Sequence, residues 1–124
     1  MTQTILAAVD DMFFASKIRA TAEALSVEIG FPRTTEALLA KANEAKPSLI
    51  LVDLHNQRLD PIDLARQLKS SHELSEVTRL GFFSHVDTNL KRTAEEAGYD
   101  RVIPRSVFAR DLAEILAGKT VNDK

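Results

Sequence analysis

The sequence predicts an α/β fold, a five-stranded parallel sheet with helices on both faces. Two observations carry this. Five short apolar runs alternate with five amphipathic stretches along the chain, the pattern of successive βαβ units. The clearest runs, Ile5 to Val9 and Leu49 to Val52, are continuously apolar rather than alternating. Strands of that kind are buried on both faces, as they are in parallel sheets.

The first strand covers about Thr4 to Val9. A helix follows from near Phe13 to Leu25, with Phe14, Ile18, Ala22 and Leu25 at helical spacing. Val27 to Phe31 reads as the second strand, and Pro32 breaks it. Thr34 or Thr35 can cap the next helix, whose apolar face is Ala37, Leu38, Ala42 and Ala45; Lys46-Pro47 stops it. The third strand is Leu49 to Val52. A polar loop, Leu54 to Asp60, leads to a helix with Pro61 in its first turn, capped by Asp60 and carrying Ile62, Leu64, Ala65 and Leu68. Ser70 to Ser75 is a polar connection. The fourth strand, about Arg79 to Phe83, ends at Ser84. Asp87 or Thr88 starts a helix that stops near Gly98. Arg101 to Ile103 is a brief fifth strand, followed by Pro104-Arg105, and the last helix runs from about Val107 to Leu116. Right-handed crossovers allow few topologies for this pattern. The simplest is the flavodoxin-like (βα)5 three-layer sandwich with strand order 2-1-3-4-5. The expected organisation is one domain over residues 1–124, with a core from about 4 to 117 and a flexible tail over 118–124.

The bulk properties narrow the function classes. The chain has 124 residues, is 44% hydrophobic and 27% charged, and carries a formal net charge of −2, so no basic field argues for nucleic acid. It has no cysteine, which removes disulfides, thiolate metal sites and cysteine nucleophiles. No apolar run approaches the roughly 20 residues of a membrane span, and no charged region precedes the first apolar run as in a signal peptide. A cytoplasmic protein without direct nucleic-acid or membrane contact is expected.

Acids stand where strands end. Asp10-Asp11 follow the first strand and Asp53 follows the third. Binding sites in parallel sheets form at the carboxyl ends of strands, so three carboxylates are expected to converge on one crevice. Clustered carboxylates repel one another, and a hard cation such as Mg²⁺ relieves the repulsion.

Asp10-Asp11, Asp53, Ser84 and Arg105, each at a strand end of a five-fold βα pattern, make the chain resemble a response-regulator receiver domain over about Thr4 to Leu116. The resemblance implies that Asp10 and Asp11 hold Mg²⁺, with Asp53 itself and the backbone carbonyl of His55 as further ligands. It implies that Asp53 accepts a phosphoryl group, that Ser84 contacts it, and that Arg105 stands where the family has a lysine. The departures are specific. Pro104 precedes the cation instead of a proline following it. His85 replaces a small residue, and Gln57 and Pro61 occupy positions usually held by proline and glycine. Val102 takes the place of an aromatic switch residue.

Each residue also has a plainer reading. Asp53 could merely cap a turn, and Ser84 could bond local backbone. Arg105 has three: it could contact a phosphoryl group, pair bidentately with Asp53, or point into solvent. His85 either hinders access to the site or has no role. Asp53-Leu54-His55 begins a cobalamin-type motif, but Arg58 stands at its glycine position. Burial is the default for Phe13 and Phe14, with one ring open to a partner as the alternative. Asp87, Lys91, Arg92, Glu95 and Glu96 form a charged, solvated helix face.

The reading that best fits the resemblance is a stand-alone receiver in a phosphorelay, not a metabolic enzyme, that accepts phosphate on Asp53 with Mg²⁺. Its partners would be a histidine kinase or histidine phosphotransfer protein and a downstream protein, with a homodimer possible through the fourth helix, fifth strand and fifth helix. The alternative is a phosphorylation-independent pseudo-receiver, an interaction module, motivated by Arg105, His85, Val102 and the altered loop. A flavin- or cobalamin-binding protein is the third reading; the chain lacks a glycine-rich phosphate loop after the first strand.

Overall fold

The computed structural model describes residues 3–84 and 88–118. Its elements are β1 (Thr4–Ala8), α1 (Met12–Ala24), β2 (Glu28–Gly30), α2 (Thr35–Ala45), β3 (Leu49–Asp53), α3 (Pro61–Ser70), β4 (Thr78–Phe83), α4 (Thr88–Ala97), β5 (Arg101–Pro104), α5 (Arg105–Arg110) and α6 (Leu112–Leu116). The strands form one sheet in the order β2-β1-β3-β4-β5, every pair parallel. This is the flavodoxin-like order expected from the sequence.

Alternation along the strands sends side chains to two cores. Leu6, Ala8, Ile50 and Val52 pack with Leu38, Leu64 and Leu68 on one face. Ile5, Ala7, Leu51, Phe82 and Ile103 pack with Phe14, Ile18, Phe108 and Ile115 on the other. Both faces are covered, so the central strands must be apolar throughout, and every residue of β3 is buried.

The caps follow local chemistry. Asp60 caps α3 by accepting from the N–H groups of Ile62 and Asp63, with Pro61 at the first helical position. Thr34, rather than Thr35, caps α2 through the Ala37 N–H at 3.0 Å. Leu54, just past β3, covers Gly81 of β4; a Cβ there would meet Leu54 Cδ2 at 2.9 Å.

The end of the chain differs from expectation. The single helix from Val107 to Leu116 is two helices, and it starts two residues earlier. Pro104, at φ −63° and ψ 150°, lets α5 begin directly at Arg105. Asp111, at φ −105° and ψ 17°, separates α5 from α6. Its carboxylate accepts two bonds from the Arg110 guanidinium, at 2.9 and 2.7 Å, and short acidic side chains are weak helix formers. The expected starting residue Asp87 lies outside the described residues.

Arg79 is a charged residue placed inside the fold, 5% exposed. Its Nε donates to the Gly98 carbonyl at 2.8 Å and its Nη1 to the Ser75 carbonyl at 3.3 Å. Its backbone N–H donates to Asp100 at 2.8 Å. One side chain thus ties the α3–β4 and α4–β5 connections to the sheet. Arg79→Met will lower stability by about 2–3 kcal/mol, since it strands carbonyls that the guanidinium satisfies. Urea unfolding will show this as a lower midpoint with an unchanged slope.

Candidate functional site at the carboxyl ends of the strands

Asp11 sits between β1 and α1 and caps the helix. Its Oδ1 accepts the Phe14 N–H at 3.1 Å. Its Oδ2 accepts from Arg105 Nη2 at 2.8 Å. The Arg105 guanidinium also lies 4.3 Å from the centre of the Phe14 ring, so it is held between a carboxylate and an aromatic face. Beneath it, Phe14 meets Phe82 edge-on at 5.3 Å and Phe108 at 5.5 Å, while Phe82 stacks on Phe108 at 4.4 Å. The arginine bond and the helix cap together hold the Asp11 carboxyl below its ordinary range.

Asp53 closes β3 and is 7% exposed. Its Oδ1 accepts the His55 N–H at 2.9 Å. Burial pushes its carboxyl up, the His55 N–H and the Arg105 charge oppose this, and Asp10 adds to the rise. Asp10 itself is exposed, as are His55 and Ser84, the latter just past β4. His85 lies outside the described residues.

Arg105 is neither paired with Asp53 nor aimed into solvent. It holds Asp11, a partner the sequence reading did not consider. Because α5 starts at Arg105 itself, the side chain leaves the first helical turn, and the Phe14 ring offers it a platform beside Asp11. The expected convergence of Asp10, Asp11 and Asp53 is therefore incomplete. Among the described residues, no group of three or more acids or histidines stands ready to hold a metal ion. The donor chemistry of the candidate ligands suits Mg²⁺, since Asp10, Asp11 and Asp53 would all offer carboxylate oxygens, and Asp10 and Asp53 repel each other. Asp11 already accepts from the Phe14 N–H and from Arg105, so a cation at such a site competes with the guanidinium for its remaining lone pairs.

Asn56 was missed by the sequence reading. It is 8% exposed. Its Nδ2 donates to the Ala8 carbonyl at 3.0 Å, and its Oδ1 accepts the Arg58 N–H at 2.8 Å. The loop after Asp53 is thereby pinned to the end of β1, next to Asp10 and Asp11. The available signal was an asparagine three residues past a strand-end acid, a turn-forming residue in a turn position.

Phe14 is buried but Phe13 is 91% exposed, as is Met12 at 83%. Val102 is buried in the core. Lys91, Arg92, Glu95 and Glu96 are exposed on α4. No helix among the described residues is long and apolar enough to cross a membrane.

No family model matches the chain. The chain is 29% identical over 96 residues to the response regulator protein VraR of Staphylococcus saprophyticus, an alignment covering 77% of this chain and 44% of that protein. It is 30% identical over 86 residues to VraR of Staphylococcus aureus, covering 69% and 40%. The chain thus spans less than half the length of these curated relatives. Among solved structures, the chemotaxis response regulator CheY4 of Vibrio cholerae superposes with a TM-score of 0.81 at 14% identity, covering 95% of this chain and 98% of that one. Sequence similarity to response regulators, the 2-1-3-4-5 sheet and the acids at its carboxyl edge agree: the chain belongs to the receiver-domain family of response regulators.

Proposed function

We propose that this domain accepts a phosphoryl group on Asp53 and passes the signal on through an altered protein-binding surface, as a receiver in a two-component phosphorelay. The observation that carries this is the state of Asp53: a carboxylate at the edge of the sheet, with Oδ1 fixed by the His55 N–H and Oδ2 left as the attacking oxygen. The donor would be a phosphohistidine of a histidine kinase or phosphotransfer protein. Its P–N bond breaks as the bond from Asp53 Oδ2 to phosphorus forms, and the imidazole leaves. A carboxylate is a weak nucleophile, so the work lies in alignment and charge neutralisation. Asp10, Asp11, Asp53 and the His55 carbonyl would hold Mg²⁺, which when bound neutralises phosphoryl oxygens. Ser84 would donate to one of those oxygens, and Arg105, once off Asp11, supplies a permanent cation to another. The output is a changed affinity for a downstream protein, with the face of α4, β5 and α5 as the docking or homodimer surface.

One observation favours the second reading. The Arg105–Asp11 pair provides an internal cation at the acid cluster without metal or phosphate. A pseudo-receiver, an interaction module independent of phosphorylation, would keep that pair closed.

Intact mass after incubation with acetyl phosphate and Mg²⁺ separates the two. The phosphorelay reading expects one phosphoryl adduct, absent without Mg²⁺ and absent in Asp53→Asn. A folded protein that gains no adduct, either from acetyl phosphate or from a panel of phosphorylated histidine phosphotransfer domains, favours the pseudo-receiver.

A further inference from the structure

A groove of about 330 Å³ opens beside the acid cluster, between α1 and the loops that leave β2 and β3. Val9, Phe31 and Pro32 give it an apolar floor, and Arg19, Arg33 and Arg58 line it. It lies outside the carboxyl ends of β1, β2 and β3, and β1 is where the sheet reverses its winding. Open parallel sheets hold their ligands there. The volume falls within the roughly 300–1,000 Å³ common to small-molecule sites.

The charge of the groove is the informative feature. Arg19, Arg33 and Arg58 form no ion pair with a carboxylate among the described residues. By contrast, Arg105 and Arg110 each have an aspartate and Arg79 has backbone carbonyls. Three unpaired guanidinium groups around one apolar floor suit an anion with a flat apolar body, since guanidinium forks bind phosphate oxygens and stack on aromatic rings. The stacking half is already assembled, with the Arg19 guanidinium 4.8 Å from the centre of the Phe31 ring. The Arg58 backbone is fixed by Asn56 Oδ1, so this arginine stands on an anchored turn. Asp10 is the one acid in the lining. Three positive charges against one negative charge leave two, the charge of a phosphate monoester. The exposed Met12 thioether at the rim is a pliable cover for a ring.

We propose that the groove bounded by Arg19, Arg33, Arg58 and Phe31 binds an aromatic phosphate monoester of the mononucleotide class. The phosphate pairs with the arginines and the base stacks on the Arg19–Phe31 platform. This site adjoins the phosphoryl acceptor and shares Asp10 with it, but the contacts argued for the ligand do not use Asp53.

The test is calorimetric titration of the full chain with AMP, with adenosine and inorganic phosphate as the two halves of the ligand. AMP should bind with a dissociation constant of about 1 mM or tighter, and at least tenfold more tightly than either half. The double variant Arg33→Gln/Arg58→Gln should weaken AMP at least tenfold while retaining the circular dichroism of the parent, because both side chains are exposed. Asp53→Asn should leave AMP binding unchanged. Four outcomes would each overturn the proposal. They are no heat up to about 10 mM AMP, inorganic phosphate binding as well as AMP, an unchanged affinity in the arginine variant, and a gain of tenfold or more in Asp53→Asn, since removing a carboxylate strengthens an anion held in the acid crevice instead.

Discussion

Replacing Arg105 with alanine will raise the affinity of the acid cluster for a divalent cation about tenfold. Asp11 has two carboxylate oxygens, one bonded to the Phe14 N–H and the other to Arg105. A cation that uses Asp11 competes with the guanidinium, so its observed affinity is reduced by up to the strength of that attachment. The pair is about one-third exposed on both sides, at 34% and 38%. Ion pairs of that kind contribute roughly 0.2–1 kcal/mol, and the contact with the Phe14 ring adds about 0.5–1 kcal/mol. Their sum, near 1.4 kcal/mol, corresponds to a factor of ten. Arg105→Lys should fall between wild type and alanine, because an ammonium lacks the planar fork and the ring stacking. Mn²⁺ titration followed by electron paramagnetic resonance reads the affinity directly, without any phosphorylation. Equal affinities in wild type and Arg105→Ala would mean that the arginine does not compete.

The pair also has a pH signature. The Asp11 carboxyl is lowered in the folded protein, mainly by Arg105. A lowered carboxyl contributes stability above the ordinary carboxylate range, and that stability is lost as pH falls through the folded value. The stability difference between wild type and Arg105→Ala should therefore be present at neutral pH and shrink in acid.

Phe82→Ala will cost about 3–5 kcal/mol, a large share of the roughly 5–15 kcal/mol that holds a typical domain. Phe82 has no exposed surface. It stacks on Phe108 at an interplanar angle of 9° and receives Phe14 edge-on at 67°. Truncation removes the centre of this three-ring cluster and leaves a cavity under the sheet's carboxyl edge. The damage reaches the site, because Phe82 is the β4 partner of Asp53 and Phe14 supports Arg105. Urea unfolding measures the loss, and a loss below about 1 kcal/mol would mean that the neighbouring rings refill the space.

Much of the fold was legible because its signals are local or periodic. Asp60 and Pro61 declare the start of α3 within four residues of chain, and the capping bonds formed as expected. Leu49 to Val52 declared a strand buried on both faces, and the only adjustment was that Asp53 belongs to the strand as well. Phe14, Ile18 and Ala22 marked the buried stripe of α1. Phe13 went the other way: helical spacing turns it off that stripe, and apolarity alone did not bury it. Asp111 separates α5 from α6 by its local conformation, while bonds from the Asp111 N–H to the Val107 carbonyl and from the Ile115 N–H to the Asp111 carbonyl span it, and the buried stripe of Phe108, Leu112, Ile115 and Leu116 continues as its period predicts.

The positions of Asp10, Asp11, Asp53, Ser84 and Arg105 at strand ends follow from the order of the elements, so the sequence by itself determined the parallel α/β architecture, the 2-1-3-4-5 sheet and which edge carries the acids. Only the tertiary structure decided what those side chains hold. Asp11 and Arg105 are 94 positions apart, and Asn56 reaches the carbonyl of Ala8 across 48. Periodicity and capping rules act over one or two turns of chain. The choice of Asp11 rather than Asp53 as the partner of Arg105 depends instead on where α5 begins and on the Phe14 ring beneath the guanidinium, both set by packing across the sheet.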